Sequence, residues 1–192
     1  RQMCIRDRDN IQRAISKAEK GGDSLQEITF EGYAPHGIAI FVECLSDNNK
    51  RTVSNIRSIF SKRGGSLGTN GSLSFLFDRK GVFTVEKGEL DPEEFELEII
   101  DAGVEEFEVD DDVFIITTAL EDFGTLQKKL EEMGIEPQSA ELQRIPNNTK
   151  ELNIDDAKQV LKLVDFFEED DDVQNVYHNL EMTDELAEAL EE

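Results

Sequence analysis

Basic side chains are concentrated in one short stretch of an otherwise acidic chain. Between residues 48 and 80 the sequence holds seven lysines and arginines and one acidic residue, Asp78, whereas the whole protein has a formal charge of −24. Lysine and arginine bind nucleic-acid phosphates, and an acidic protein can bind a polyanion only through such a local excess. We therefore predict a phosphate-contacting surface here. Its basic residues are Lys50, Arg51, Arg57, Lys62, Arg63, Arg79 and Lys80.

The first five of these residues lie on a predicted amphipathic helix, Lys50–Arg63. Asp47-Asn48-Asn49 offers capping side chains before it, and Gly64-Gly65 ends it. Its apolar positions recur at helical spacing and are expected to pack on a sheet. These positions are Val53, Ile56, Ile59 and Phe60. Without the family resemblance given below, the basic opposite face favours an ordinary solvated helix surface. The local charge excess and that resemblance together favour the phosphate-contacting surface.

The glycine-rich run Gly64–Gly71 follows this predicted helix. Glycine loops that bind nucleotide phosphates precede a helix and end in Gly-Lys-Ser/Thr, and this run has neither property. We therefore predict a helix cap and a flexible connector. The alternative is a loop whose backbone amides donate to RNA phosphates.

Two ring side chains belong to the turn Tyr33–Gly37. Tyr33 is a candidate for stacking on a base, with packing at a sheet edge as an equal alternative. His36 can stack on a base or contact a phosphate, and a tolerated turn residue is the simpler interpretation. Both residues are included in the predicted nucleic-acid-binding set.

The sequence shows no pattern typical of a catalytic or metal site. Cys4 and Cys44 lie far apart, and His36 and His178 are the only histidines, so neither a disulfide framework nor a zinc site is predicted. The acidic runs at 110–112 and 168–172 lack the ligand spacing of an EF-hand. Nucleophile and base residues have no recognisable local signature. We expect a protein that is not an enzyme and that needs no metal or cofactor.

Apolar periodicity predicts two α+β units. In the first, two strands precede the basic helix, and a strand at Ser72–Phe77 follows it, in which Leu73, Phe75 and Phe77 share one face. The second unit has the order βαββαβ, which is that of a ferredoxin-like sandwich. Its predicted elements are the strand Gly81–Glu86, a helix after Asp91-Pro92, the hairpin Val104–Thr118, the helix Phe123–Met133 and the strand Ala140–Ile145. A helix around Ala157–Phe167 and a strand at Val173–His178 follow. Spacing alone allows either a return of the chain to the first unit or two domains in series.

The order of several short motifs closely resembles the YebC/PmpR family, which includes the mitochondrial translational activator of cytochrome c oxidase. The resemblance runs from about Asp9 to the C-terminus. The segments that carry it are Glu31–Tyr33, Glu43–Asn48, Arg51–Val53, Phe60–Lys62, Gly64–Gly68 and Asp172–Asn179. Ala34 and His36 depart from the family, which commonly has glycine at both positions.

This resemblance implies a nested domain organisation. One ferredoxin-like unit, residues 80–146, is inserted in another formed by 27–79 and 147–182, and an acidic tail occupies 183–192. Residues 9–26 resemble the end of a basic helical N-terminal domain. Residues 1–8 do not resemble the family, and we interpret them as foreign sequence in a truncated or mis-joined fragment, with a natural short variant as the alternative.

The family resemblance also implies a regulator of gene expression that binds nucleic acid. Members are described as DNA-binding transcriptional regulators, and others act on translation at the ribosome. A basic patch on an acidic body favours RNA or the ribosome as the partner. The alternative is DNA, because members of the family are customarily described as DNA-binding regulators. The rival interpretation is a protein-interaction module without nucleic-acid contact. No apolar run approaches the length of a membrane span, so we expect a cytoplasmic protein with no membrane association. We also expect no small-molecule substrate.

Overall fold

The computed structural model describes residues 25–191. Segments 1–8 and 9–24, with Cys4, lie outside the described residues. The strands are β1 (Gln26–Tyr33), β2 (Ala39–Ser46), β3 (Ser66–Leu67), β4 (Phe77–Glu86), β5 (Val104–Asp110), β6 (Val113–Ala119), β7 (Ser139–Pro146) and β8 (Val173–His178). The α-helices are α1 (Asn49–Lys62), α2 (Pro92–Ile99), α3 (Phe123–Glu132), α4 (Ile154–Glu168) and α5 (Asp184–Glu191). The predicted α+β class is confirmed.

The chain divides into two compact units. Among the described residues, one unit contains 25–76 together with 146–191, and the other contains 77–145. Each unit has its own four-stranded sheet and its own apolar core.

The first unit has the sheet order β3-β1-β2-β8. β1 and β2 form an antiparallel hairpin in which Gln26 pairs with Ser46 and Tyr33 with Ala39. Alternate residues of β2 pack with the apolar faces of α1 and α4, as the alternating and helical patterns require. The rings of Phe60 on α1 and Phe167 on α4 meet in this core, with centroids 4.7 Å apart.

The second unit has the sheet order β5-β6-β4-β7 with α2 and α3 packed on it. Its element order is βαββαβ, as predicted for a ferredoxin-like sandwich. Fully buried side chains from β4, β6 and α3 form the centre of the core, namely Phe83, Phe114, Ile116, Leu126 and Leu130.

The predicted strand at Ser72–Phe77 is wrong. Residues 70–76 form turns and bends, and β4 begins only at Phe77 and continues to Glu86. Leu73 is buried and Phe75 is 69% exposed, so these residues do not share a face. The alternation that suggested a strand instead belongs to a loop whose amides hydrogen-bond to a distant side chain, described below.

Candidate nucleic-acid interface

Helix α1 is positioned by its caps and by one buried face. The Asn48 side chain accepts a hydrogen bond from the Arg51 amide at the N-terminus. Gly64, with φ of 77°, adopts the left-handed conformation just after the helix. Thr52, Ile56 and Phe60 are buried, so the opposite side of the helix must face solvent.

The exposed side of α1 carries an uninterrupted polar stripe. Lys50, Ser54, Arg57 and Ser61 are all exposed, and their spacing of three or four residues places them along one line of the helix. Within the described part of the chain, Lys50, Arg57 and the exposed Lys62 make no hydrogen bond or ion pair. These three cations are therefore available to an external anion.

Arg51, in contrast, is engaged within the protein. Its guanidinium forms ion pairs with Asp172, with Nη2 3.0 Å from Oδ1, and with Asp47, with Nη2 2.8 Å from Oδ1. The hydrogen bonds to Asp172 and then Asp47 raise the pKa of Arg51 above its ordinary value. Because two carboxylates already neutralise this cation, it is a poor candidate for a phosphate contact.

Acidic residues also border the N-terminal half of α1. Asn55 donates from Nδ2 to the Asp170 carboxylate at 3.0 Å, and Asp172 lies two residues further along the chain. Negative charge on this side repels a polyanion. The positive surface is thus narrower than the sequence suggested.

Arg63 lies at the C-terminal end of α1, where its guanidinium carbon is 3.6 Å from the centroid of the Phe166 ring. A cation over an aromatic face is attracted by the ring's negative quadrupole, and its outer edge can still donate hydrogen bonds. Arg63 therefore remains a candidate, held in place by Phe166.

Arg79 and Lys80 lie on β4 in the second unit rather than in the unit that contains α1. The Lys80 ammonium forms an ion pair with Glu105 at 2.9 Å, and this hydrogen bond raises the pKa of Lys80. Arg79 is exposed and has no ion pair among residues 25–191.

Tyr33 and His36, the two ring side chains predicted to contact nucleic acid, lie in different surroundings. Tyr33 is 40% exposed at the end of β1 and pairs through its backbone with Ser66. His36 has a φ of 63°, which explains why glycine suits this position, and it lies against α4. Its Nε2 is 3.0 Å from Gln159 Oε1, and its Nδ1 is 3.4 Å from the carboxylate of Asp156. These neighbours leave His36 less available for a base or phosphate than the sequence suggested.

The glycine-rich loop is not an open phosphate cradle. The buried Glu31 carboxylate accepts hydrogen bonds from the amides of Gly71, at 2.7 Å, and Leu73, at 2.5 Å. The Gly68 amide donates to the Glu31 carbonyl at 2.7 Å. These three amides therefore already donate to acceptors within the protein, two of them to a carboxylate, and they are not free to donate to RNA phosphates.

Sequence reasoning missed Phe75. The sequence predicts that it shares one face of a strand with Leu73 and Phe77, yet it is among the most exposed large apolar side chains that the structure describes. The signal that could have located it is the dense run of Gly, Ser, Thr and Asn before it, which is typical of a loop.

The described residues contain no group of histidine, cysteine or acidic side chains arranged to hold a metal ion. Nor does any of their helices have the length and apolar character that crossing a bilayer requires.

Comparison with known proteins places the chain in a family. Residues 25–180 match the family described as the TACO1/YebC second and third domain. The chain belongs to the TACO1/YebC family. This result confirms the resemblance found in the motifs around β1, β2 and α1.

Curated TACO1/YebC relatives are similar along most of the chain. A protein from Clostridium perfringens is 49% identical over 175 residues, covering 90% of this chain and 71% of its own length. A relative from Cytophaga hutchinsonii is 50% identical over 178 residues, covering 92% and 75% respectively. Both relatives bear the name probable transcriptional regulatory protein.

A solved structure shows the same architecture. The crystal structure of a conserved hypothetical protein from Aquifex aeolicus aligns with a TM-score of 0.77 and 37% sequence identity. The alignment covers 92% of this chain and 74% of the Aquifex chain.

Proposed function

We propose that this protein is a non-enzymatic regulator of gene expression that binds nucleic acid through the exposed face of α1. The observation that carries the proposal is the stripe of exposed cations, Lys50 and Arg57 with Lys62 beside them, which have no partner among the described residues. The names of the relatives support regulation of gene expression as the biological setting.

RNA on the ribosome is the partner that best fits this surface. Three cations without a partner among the described residues neutralise about three phosphates, which corresponds to a salt slope of only about 2 to 3. A footprint this small on a protein of charge −24 suits a partner that is also held by other contacts. Binding to isolated promoter DNA would require a larger basic surface.

The proposal is tested by sedimenting the protein with purified ribosomes over a range of salt concentrations, with duplex DNA as competitor. We expect association that resists DNA and that the double variant Lys50→Glu, Arg57→Glu loses. The matched control is Lys87→Glu, Lys128→Glu, which makes the same change in net charge within the second unit. This control should bind nearly as well as the wild type.

Three other outcomes would change the proposal. Displacement by duplex DNA would establish the transcriptional alternative. Binding that persists at high salt and after nuclease treatment would show a protein-interaction module instead. Equal losses in the two charge-reversed variants would show that net charge, and not α1, determines association.

A further inference from the structure

Phe75 is an exposed aromatic ring between two buried neighbours. Its relative exposure is 69%, whereas Leu73 is fully buried and Phe77 is 3% exposed. An exposed phenyl ring forgoes the favourable free energy of burial, and the adjacent Ser74 is exposed as well, so the loop turns outward at this point.

The backbone around Phe75 is anchored on both sides. Before it, the amides of Gly71 and Leu73 donate to the Glu31 carboxylate, and Ser74 Oγ donates to the Gly71 carbonyl at 3.0 Å. After it, the Asn147 amide donates to the Leu76 carbonyl at 2.9 Å. The Phe75 carbonyl itself accepts from Asn147 Nδ2 at 3.2 Å. The ring is therefore presented from an ordered loop, and a ligand would not have to order this backbone on binding.

The surroundings of the ring in the chain favour a nucleobase over an apolar protein partner. Residues 48–77 contain no acidic residue, and the run from Gly68 to Ser74 is dominated by glycine and hydroxyl or amide side chains. Protein hot spots are normally surrounded by further contact surface that excludes water. A single aromatic ring among polar residues is instead the arrangement that single-stranded nucleic-acid binders use for stacking.

We propose that Phe75 is a stacking platform for one unpaired base of a single-stranded RNA segment, and that Glu31 and Asn147 hold it in position. This inference rests on the proposed nucleic-acid-binding function and adds the contact to the base. The cations of α1 supply attraction to phosphates, and Phe75 supplies an interaction that requires a base.

The chain contains no tryptophan, so Phe75→Trp places a single fluorescent reporter at the site. The probes are a single-stranded oligoadenylate RNA and an abasic ribose-phosphate strand of the same length. We expect the oligoadenylate to quench the fluorescence of the introduced indole through stacking and the abasic strand to leave it unchanged. The control reporter is Leu97→Trp, which replaces a residue that is 71% exposed in the second unit and should respond to neither probe.

Affinity provides the second measurement. Phe75→Ala should weaken binding of the oligoadenylate about 5- to 100-fold and leave binding of the abasic strand unchanged. Leu97→Ala should leave both unchanged. The thermal midpoint of Phe75→Ala should equal that of the wild type, because the removed ring has little packing to lose.

The outcomes separate this inference from the proposed function. If Lys50→Glu, Arg57→Glu abolishes RNA binding while Phe75→Ala binds normally, the stacking proposal is overturned and the α1 interface stands. Equal quenching by the abasic strand also overturns it, since the ring would then sense only the backbone. If the wild type binds neither RNA nor ribosomes, both proposals fall together.

Discussion

The guanidinium of Arg51 is joined to the carboxylate of Asp172 across 121 residues of sequence, with Nη2 3.0 Å from both Oδ1 and Oδ2. Asp172 is 2% exposed and also accepts hydrogen bonds from Thr52 Oγ1 at 2.8 Å and Ser46 Oγ at 3.1 Å. This cluster ties the start of α1 to the segment just before β8. Neighbouring basic residues of α1 therefore have different roles, because Arg51 stabilises the fold and Lys50 faces solvent.

Replacing Arg51 tests this division of roles. Arg51→Ala should lower the free energy of unfolding, because it leaves a buried carboxylate without its cation. Lys50→Ala, one residue earlier, should leave stability unchanged, since its side chain has no partner among the described residues. Urea unfolding of the two variants provides the comparison. Equal stability of the two variants would contradict the structural role of Arg51.

Thr52 gives the same cluster a quantitative test. Thr52→Val keeps the shape of the side chain and removes a hydrogen bond to a charged group, so it should cost about 1–3 kcal/mol. Ser54→Ala, on the exposed stripe of the same helix, should change stability by less than about 0.5 kcal/mol. If Thr52→Val is as stable as Ser54→Ala, the hydroxyl does not support Asp172.

The elements that sequence alone located correctly are those with local signals. Helix α1 has its cap in Asn48, its stop in Gly64 and its apolar spacing all within one segment, so its bounds and buried face agree with prediction to within a residue or so. The strand predicted at Val173–His178 is also present, with the same bounds.

The errors arise where a distant residue decides the outcome. The alternation of Leu73, Phe75 and Phe77 is typical of a strand, but the amides of this loop donate to Glu31, which lies 40 or more residues earlier. The role of Arg51 depends on Asp172, 121 residues later. Neither partner can be recognised from spacing, because many other acidic residues were equally available.

Burial of the His178 imidazole should make the stability of the protein depend on pH. Its Nδ1 is buried and has no hydrogen-bond partner among the described residues, and burial lowers the pKa of this imidazole, with a hydrogen bond to the Leu180 backbone opposing the shift. The unfolded chain therefore takes up a proton at this position at higher pH than the folded chain does. The resulting loss of stability should appear as the pH falls below about 6.5, the ordinary histidine pKa.

The measurement is urea unfolding at pH 7.5 and pH 5.5 for the wild type and His178→Gln. The free energy of unfolding should fall more between pH 7.5 and pH 5.5 in the wild type than in the variant. Because both proteins contain the same acidic residues, their contribution cancels when the two changes are compared. The chain has only two histidines, so two imidazole resonances can be followed by NMR and assigned with the variant. A folded-state pKa of His178 at or above 6.5 would refute the prediction.

The backbone around Gly32, where β1 pairs with the short strand β3, leaves no room for a side chain. A Cβ at this position would lie 2.5 Å from the Ser66 carbonyl oxygen and 2.7 Å from the Phe60 ring, so Gly32→Ala must displace β3 or α1. We expect marked destabilisation, of about 1–3 kcal/mol for overpacking. Gly124→Ala on α3 meets no atom within 4 Å and should instead stabilise by about 0.5–1 kcal/mol through helix propensity. Thermal unfolding of the two variants should therefore shift in opposite directions.

Replacing Glu31 should loosen the loop around residues 71–73 and leave the rest of the protein intact. Its two carboxylate oxygens accept from two different amides, those of Gly71 and Leu73. Glu31→Gln replaces one acceptor with an NH₂ group, which can only donate, so one buried amide loses its partner. Hydrogen exchange should become faster at the amide that loses its acceptor and stay slow in α4. Glu27→Gln, at an exposed position of the same strand, is the matched control and should leave the exchange of the loop unchanged. Slow exchange of both loop amides in Glu31→Gln would show that the carboxylate does not order the loop, and the support inferred for Phe75 would then depend on Asn147 alone.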